Sequence, residues 1–130
     1  MADAAATLTE PVAPDALDAE DAKIVTLARS ARARTGAAHG AAVRDLDGRT
    51  YAACTVALPS LSLTALQAAV AAAVAAGAPG LEAAAVVGVA DLGNGFDDPG
   101  LAAVADVTAG ATVLVAGPDA SEVHRVQGSP

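Results

Sequence analysis

No charged residue occurs between Thr50 and Leu81. Within that window the stretch PSLSLTALQAAVAAAVAAGAPG, Pro59–Gly80, is rich in alanine. Its larger apolar residues, Leu63, Leu66, Val70 and Val74, recur three or four apart, which sets them along one side of a helix. The other side is mostly alanine, with Gln67 the one strongly polar group. A helix that is apolar all round is usually buried, so this segment is expected as the central helix against which a sheet packs. A membrane span is the rival reading. Pro59 and Pro79 bracket the helical part, Ser60, Ser62, Thr64 and Gln67 interrupt it, and no basic flank lies close to either end. A soluble core helix is therefore the expectation, with no membrane as a partner.

A chain of 130 residues is most simply one domain, long enough for a proper core. Seven basic residues against 15 acidic ones leave a net charge of −8. That balance argues against nucleic acid, because phosphate binding relies on clustered Lys and Arg. The nearest approach to a basic patch, Arg29, Arg32 and Arg34, reads as the wet end of a helix. Tyr51 and Phe96 are the only aromatic residues, so the core must be built from Ala, Val and Leu. A single cysteine, Cys54, cannot form an internal disulfide. A reducing, cytoplasmic compartment is the natural expectation. The opening MADAAATLTEPVAPDALDAED carries acids and no basic n-region, so a secretory leader is not expected.

Read in order, residues 1–17 look like a loose tail, residues 18–126 a domain and residues 127–130 a frayed end. Asp18 can cap a helix, with Asp21 three residues on. The segment AEDAKIVTLARSARAR then puts Ile24, Leu27, Ala28 and Ala31 on one face, acids first and arginines last, as the helix dipole favours. Gly36 is the expected stop. GAAVRDL and RTYAACTVAL flank Asp47-Gly48, a strong hairpin signal. After the central helix, EAAAVVGVA reads as a buried strand and DLGNGFDDPG as a loop. PGLAAVADV reads as a short helix with Asp97 or Asp98 as cap. ATVLVAG is a second apolar strand, and SEVHRV a last edge strand. Strand-helix-strand links favour parallel neighbours. The expected fold is α/β, a three-layer α/β/α sandwich with a mixed sheet of four to five strands: the hairpin, then parallel neighbours.

The string GAAVRDLDGRTYAACTV, residues 40–56, together with the order of elements over roughly residues 20–126, resembles the cytidine deaminase family of zinc-dependent nucleoside deaminases. The resemblance implies zinc held by a Cys or His at the start of the central helix, within a Cys/His-Ala-Glu motif. Two cysteines of a Pro-Cys-x-x-Cys motif at the start of the next helix complete the set. Thiolate and imidazole suit zinc, which lowers the pKa of the attacking water, while the Glu is the general acid/base. Counting back from Gly77 puts the first motif on Thr64, Ala65 and Leu66, and the second falls on Pro99–Ala103. Only Ala65 and Pro99 match. Thr64, Leu66, Gly100 and Ala103 therefore mark vacated family positions, with no catalytic residue, metal ligand or cofactor expected. The nucleoside contacts that the resemblance implies fall on Ala37, Thr55 and Ala57, a remnant pocket without its functional side chains. A small shift of alignment changes nothing, because residues 58–81 contain no Cys, His or acid.

Other residues favour plain readings. Cys54 is expected as a buried small hydrophobe. His39 and His124 stand far apart, with no acid or thiol at ligand spacing. Asp91, Asp97 and Asp98 lie in a Gly-rich loop without the spacing of a calcium-binding EF-hand, and Gly93-Asn94-Gly95 lacks the lysine of a phosphate-binding loop. The leading expectation is a cytidine deaminase-like protein without zinc or chemistry, acting as a binding or scaffold module in a homo-oligomer. The alternatives are a nucleoside or nucleotide sensor that keeps the pocket, and an active deaminase with a rearranged site.

Overall fold

Asp18 opens the first helix as its sequence suggests. Its side chain accepts the Asp21 N–H at 2.8 Å, and Gly36, at φ 68°, closes the helix. In the computed structural model, which describes residues 5–127, this helix α1 spans Ala19–Thr35. The strand β1, Gly40–Asp45, turns through residues 46–49 into β2, Thr50–Cys54. A small hairpin follows, β3 at Val56–Leu58 and β4 at Leu61–Leu63. Then come α2 (Ala65–Ala75), β5 (Leu81–Val87), α3 (Gly100–Val107), β6 (Thr112–Ala116) and β7 (Val123–Arg125).

Five strands form one mixed sheet in the order β2-β1-β5-β6-β7. Only β5 and β6, joined through α3, are parallel; β1 runs antiparallel to both β2 and β5, and β7 antiparallel to β6. The expected run of parallel neighbours therefore holds for one pair. The connection from β2 through α2 to β5 leaves β1 between the two strands it joins.

Side chains alternate across the sheet, as the two-residue period of a strand requires. Ala42, Ala83, Ala85, Val87 and Leu114 face Ile24, Val25 and Ala28 of α1. Ala41, Val43, Ala84, Val86, Val113 and Val115 face Leu66, Ala69 and Val70 of α2 and Val104 of α3. The result is the expected α/β/α sandwich, packed almost wholly from small side chains.

Three expectations are corrected. The central helix starts at Ala65, not near Pro59, because Thr64 caps it and Leu61-Ser62-Leu63 pairs as a strand with β3. That helix is not buried all round. Ala65, Leu66, Ala69, Val70 and Ala73 face inward, whereas Val74 is 55 % exposed. The helix packs chiefly over β1 and β2 on one side and α3 on another, leaving its remaining side to solvent. Residues 5–17 are not a loose tail: Leu8 and Val12 bridge Val126 and Val123, and Ala6 bridges Phe96. They run along β7, whose outer edge would otherwise carry unpaired N–H and C=O groups. At the other end, the Gln127 N–H donates to the Thr7 carbonyl at 2.7 Å; residues 1–4 and 128–130 lie outside the described residues.

Two buried polar groups were not legible as such. Arg44 donates to Asp21 at 3.0 Å and to Glu82 at 2.6 Å, its side chain as deeply buried as that of Asp21. Burial alone would lower the Arg44 pKa, but its hydrogen bonds and charge pairs with Glu82 and Asp21 hold it above the ordinary value. Removing one member of a buried pair strands the other. Asp21→Ala should cost about 3 kcal/mol in urea unfolding, and Glu82→Gln, at the half-exposed partner, less than about 1 kcal/mol.

Asp45, fully buried at the hairpin turn, accepts from the Asp47 and Arg49 N–H groups, both at 2.9 Å, and from the Tyr51 hydroxyl at 2.8 Å. Burial pushes its pKa up, but these three donors and the Arg49 charge outweigh it and leave the folded value below the ordinary 3.8. The same hydrogen bond, with burial, raises the Tyr51 pKa. Because the folded carboxyl binds its proton less readily than the unfolded one, its contribution is present above the ordinary carboxylate value and is lost as pH falls through the depressed one. The urea midpoint should therefore drop on acidification below about pH 4. Asp45→Asn should be less stable at pH 7 and show a flatter acid limb.

Candidate functional site

The starts of α2 and α3 meet at one carboxylate. Thr64 caps α2 in a reciprocal box: its hydroxyl accepts the Gln67 N–H at 3.1 Å, and the Gln67 side-chain oxygen accepts the Thr64 N–H at 3.0 Å. The same hydroxyl donates to Asp98 Oδ1 at 2.8 Å. Asp98 Oδ1 also accepts the Gly100 N–H at 2.7 Å, so a single oxygen joins the first turns of both helices. An anion there is favoured by the partial positive charge of each helix start, and Asp98 is only 7 % exposed.

Beside this polar contact the helices touch through apolar atoms. Leu66 is fully buried. A Cβ added to Gly100 would lie 2.7 Å from both Leu66 Cβ and Cγ, a spacing real carbons do not adopt, so only glycine admits the leucine. Ala103, one turn into α3, is half-buried against the same apolar cluster. The positions named from the sequence, Thr64, Leu66, Gly100 and Ala103, are thus gathered where the two helices begin. Thr64, Leu66 and Gly100 make contacts there with each other or with Asp98.

The remnant-pocket residues do not join them. Thr55 ties the end of β2 to the start of β1, its hydroxyl accepting the His39 N–H at 3.1 Å and its N–H donating to the His39 carbonyl at 3.2 Å. Ala37 precedes β1 and is half-buried, and Ala57 is exposed on β3 opposite Ser62. Among the described residues no hydrogen bond links these three to Thr64 or Asp98.

The other polar candidates are also dispersed. His124 Nδ1 lies 2.8 Å from the Thr9 carbonyl oxygen; a carbonyl only accepts, so that nitrogen carries the proton. Cys54 pairs with Gly40 across the hairpin and is half-buried, not fully so as expected. Asp91 accepts from the Asn94 amide at 2.6 Å and Asp97 is exposed, while Asp98 turns inward. Among the described residues, no group of three or more His, Cys, Asp and Glu side chains comes together in a way that could hold a metal ion.

Asp98 is what reading the sequence missed. It was expected as a solvated loop acid or a cap of α3 alone, yet it is buried and bonded across to Thr64. Its place directly before Pro99, the one residue that matches the second motif the resemblance implies, was the available signal. Asp98→Ala should cost about 2 kcal/mol by removing partners from both helix starts. Gly100→Ala should destabilise by about 1–3 kcal/mol through overpacking. In a double-mutant cycle with Leu66→Ala that cost should largely vanish, because the colliding carbons are gone.

No match to the chain is found among curated proteins. Among solved structures, its fold is similar to that of the 1.6 Å crystal structure of cytidine deaminase from Burkholderia pseudomallei. The TM-score is 0.63 and the identity 23 %, over 78 % of this chain and 88 % of that one. At that identity the likeness speaks for fold alone. The sequence model of the family described as cytidine deaminase-like matches residues 17–120, and with most of its length so matched the chain belongs to the cytidine deaminase-like family.

Proposed function

We propose that this protein is a zinc-free, non-deaminating member of its family, a binding or scaffold module that assembles with copies of itself in the cytoplasm. The observation that carries the first half is the donor set at the starts of α2 and α3. Zinc sites of the family's kind need three thiolate or imidazole ligands. The positions that would supply them hold Thr64, Gly100 and Ala103. The one carboxylate at hand, Asp98, has an oxygen already taken by two hydrogen bonds. These residues do not fit zinc. Leu66, where the general acid/base would stand, can move no proton, so no deamination step can be written through this site.

Self-assembly rests on how charge is distributed. The window from Thr50 to Leu81 holds no charged residue and folds as β2, the β3–β4 hairpin and α2. Leu58, Leu61 and Val74 on these elements are 59 %, 49 % and 55 % exposed. With a net charge of −8 borne by the rest of the chain, two copies repel across their other surfaces and meet without that cost here.

Metal analysis of freshly purified protein, paired with ammonia release from cytidine and deoxycytidine, tests the first half. The expected result is zinc far below one per chain and no turnover; one zinc per chain with turnover overturns it. Light scattering coupled to gel filtration tests the second. A dimer or larger species is expected, shifting to monomer in Val74→Asp; a monomeric wild type at all concentrations rules self-assembly out.

A further inference from the structure

The loop between β5 and α3 delivers Asp98 to the site, and one short segment holds that loop down. Gly88 and Val89 are tied to the Ala116 carbonyl at 3.0 and 3.1 Å. Beyond Val89, among the described residues, the loop's backbone bonds to another part of the chain before Asp98 run to Ala6 alone. The Ala6 N–H donates to the Phe96 carbonyl at 2.8 Å, and the Phe96 N–H donates to the Ala6 carbonyl at 3.0 Å. At Gly95, φ is 87° and an added Cβ would lie 2.6 Å from the Ala6 carbonyl oxygen. The loop backbone therefore passes directly against the segment, in a conformation that suits glycine.

Phe96 sits two residues before Asp98, is 3 % exposed, and shares its apolar cluster with Leu66 and Val104; Leu8 and Leu92 pack on that cluster. The segment is itself anchored on its far side, Thr9 donating to the Arg125 carbonyl at 2.9 Å and Val12 exchanging two 2.9 Å bonds with Val123. Ala6 also stands in the walls of two cavities. One, of about 280 Å³, is apolar and lies against α3, β6 and Val126; the other, of about 380 Å³, lies between residues 5–11, residues 92–95 and His124.

We propose that residues 5–12 are a built-in cover strand. Anchored on β7, the strand holds Phe96 in the core and so keeps Asp98 bonded across the starts of α2 and α3. Its release at Ala6 opens that junction while leaving the sheet intact. This goes beyond the functional reading above and does not depend on it.

Residue-resolved amide hydrogen exchange on the full chain tests it with Ala6→Pro, which deletes the N–H given to Phe96 but none of the bonds to β7. The Phe96 and Gly100 amides should exchange about tenfold faster together, the scale of one lost hydrogen bond. Val12, Val43 and Val86 should keep their rates. Faster exchange at Phe96 with Gly100 unchanged overturns the proposal. If Ala6→Pro loosens every amide alike, Gly95→Ala decides, because it separates the same two segments from the loop side. The same local pattern there supports the cover strand, and uniform loosening in both variants overturns it.

Discussion

One oxygen atom, Asp98 Oδ1, holds the two helices of one face in register with each other. It accepts from the Thr64 hydroxyl and from the Gly100 N–H, so the cap of one helix and the first turn of the next share a partner. A buried anion thus gathers donors from two helix starts, where the helix dipoles favour it. Leu66 against Gly100 then fills the remaining space with methyl groups and bare backbone. The meeting of the two helix starts is thus a packing contact built around one shared oxygen.

The same economy of size runs through the whole interior. With Tyr51 and Phe96 as the only aromatic side chains, the layers approach closely and few side chains reach far. Polar groups left inside must find partners at short range. Arg44 does so through Nε to Glu82 and Nη2 to Asp21, leaving Nη1 without a partner among the described residues, and Asp45 does so within its own turn, taking three donors. An acidic chain thus places some of its carboxylates where backbone N–H groups, a hydroxyl or a guanidinium hold their charge in place.

Much of the architecture was readable from periodicity and punctuation. Asp18 and Gly36 bounded α1, Asp47-Gly48 turned the hairpin, and the valine runs became the parallel pair β5 and β6. The failures have physical causes. Between Thr55 and Thr64, a run of Val, Leu, Ser, Pro and Ala fits a strand pair as well as a helix start, and only the reciprocal cap of Thr64 and Gln67 fixes the boundary. The fate of residues 5–17 depends on an unpaired edge more than a hundred residues away, which local pattern cannot reveal. The gathering of Thr64, Leu66 and Gly100 was legible through family spacing. The inward turn of Asp98 was not, since a carboxylate in a Gly-rich loop ordinarily faces water.

The bond from the Arg125 N–H to the Thr9 hydroxyl oxygen spans 116 positions of sequence. During synthesis the early segment leaves the ribosome long before the strand it will lie against has been made. Until β7 emerges, the segment has nowhere to dock and the loop around Phe96 has nothing to close it. Separations this long slow the approach to the native state, and they place the sealing of this edge after the synthesis of β7.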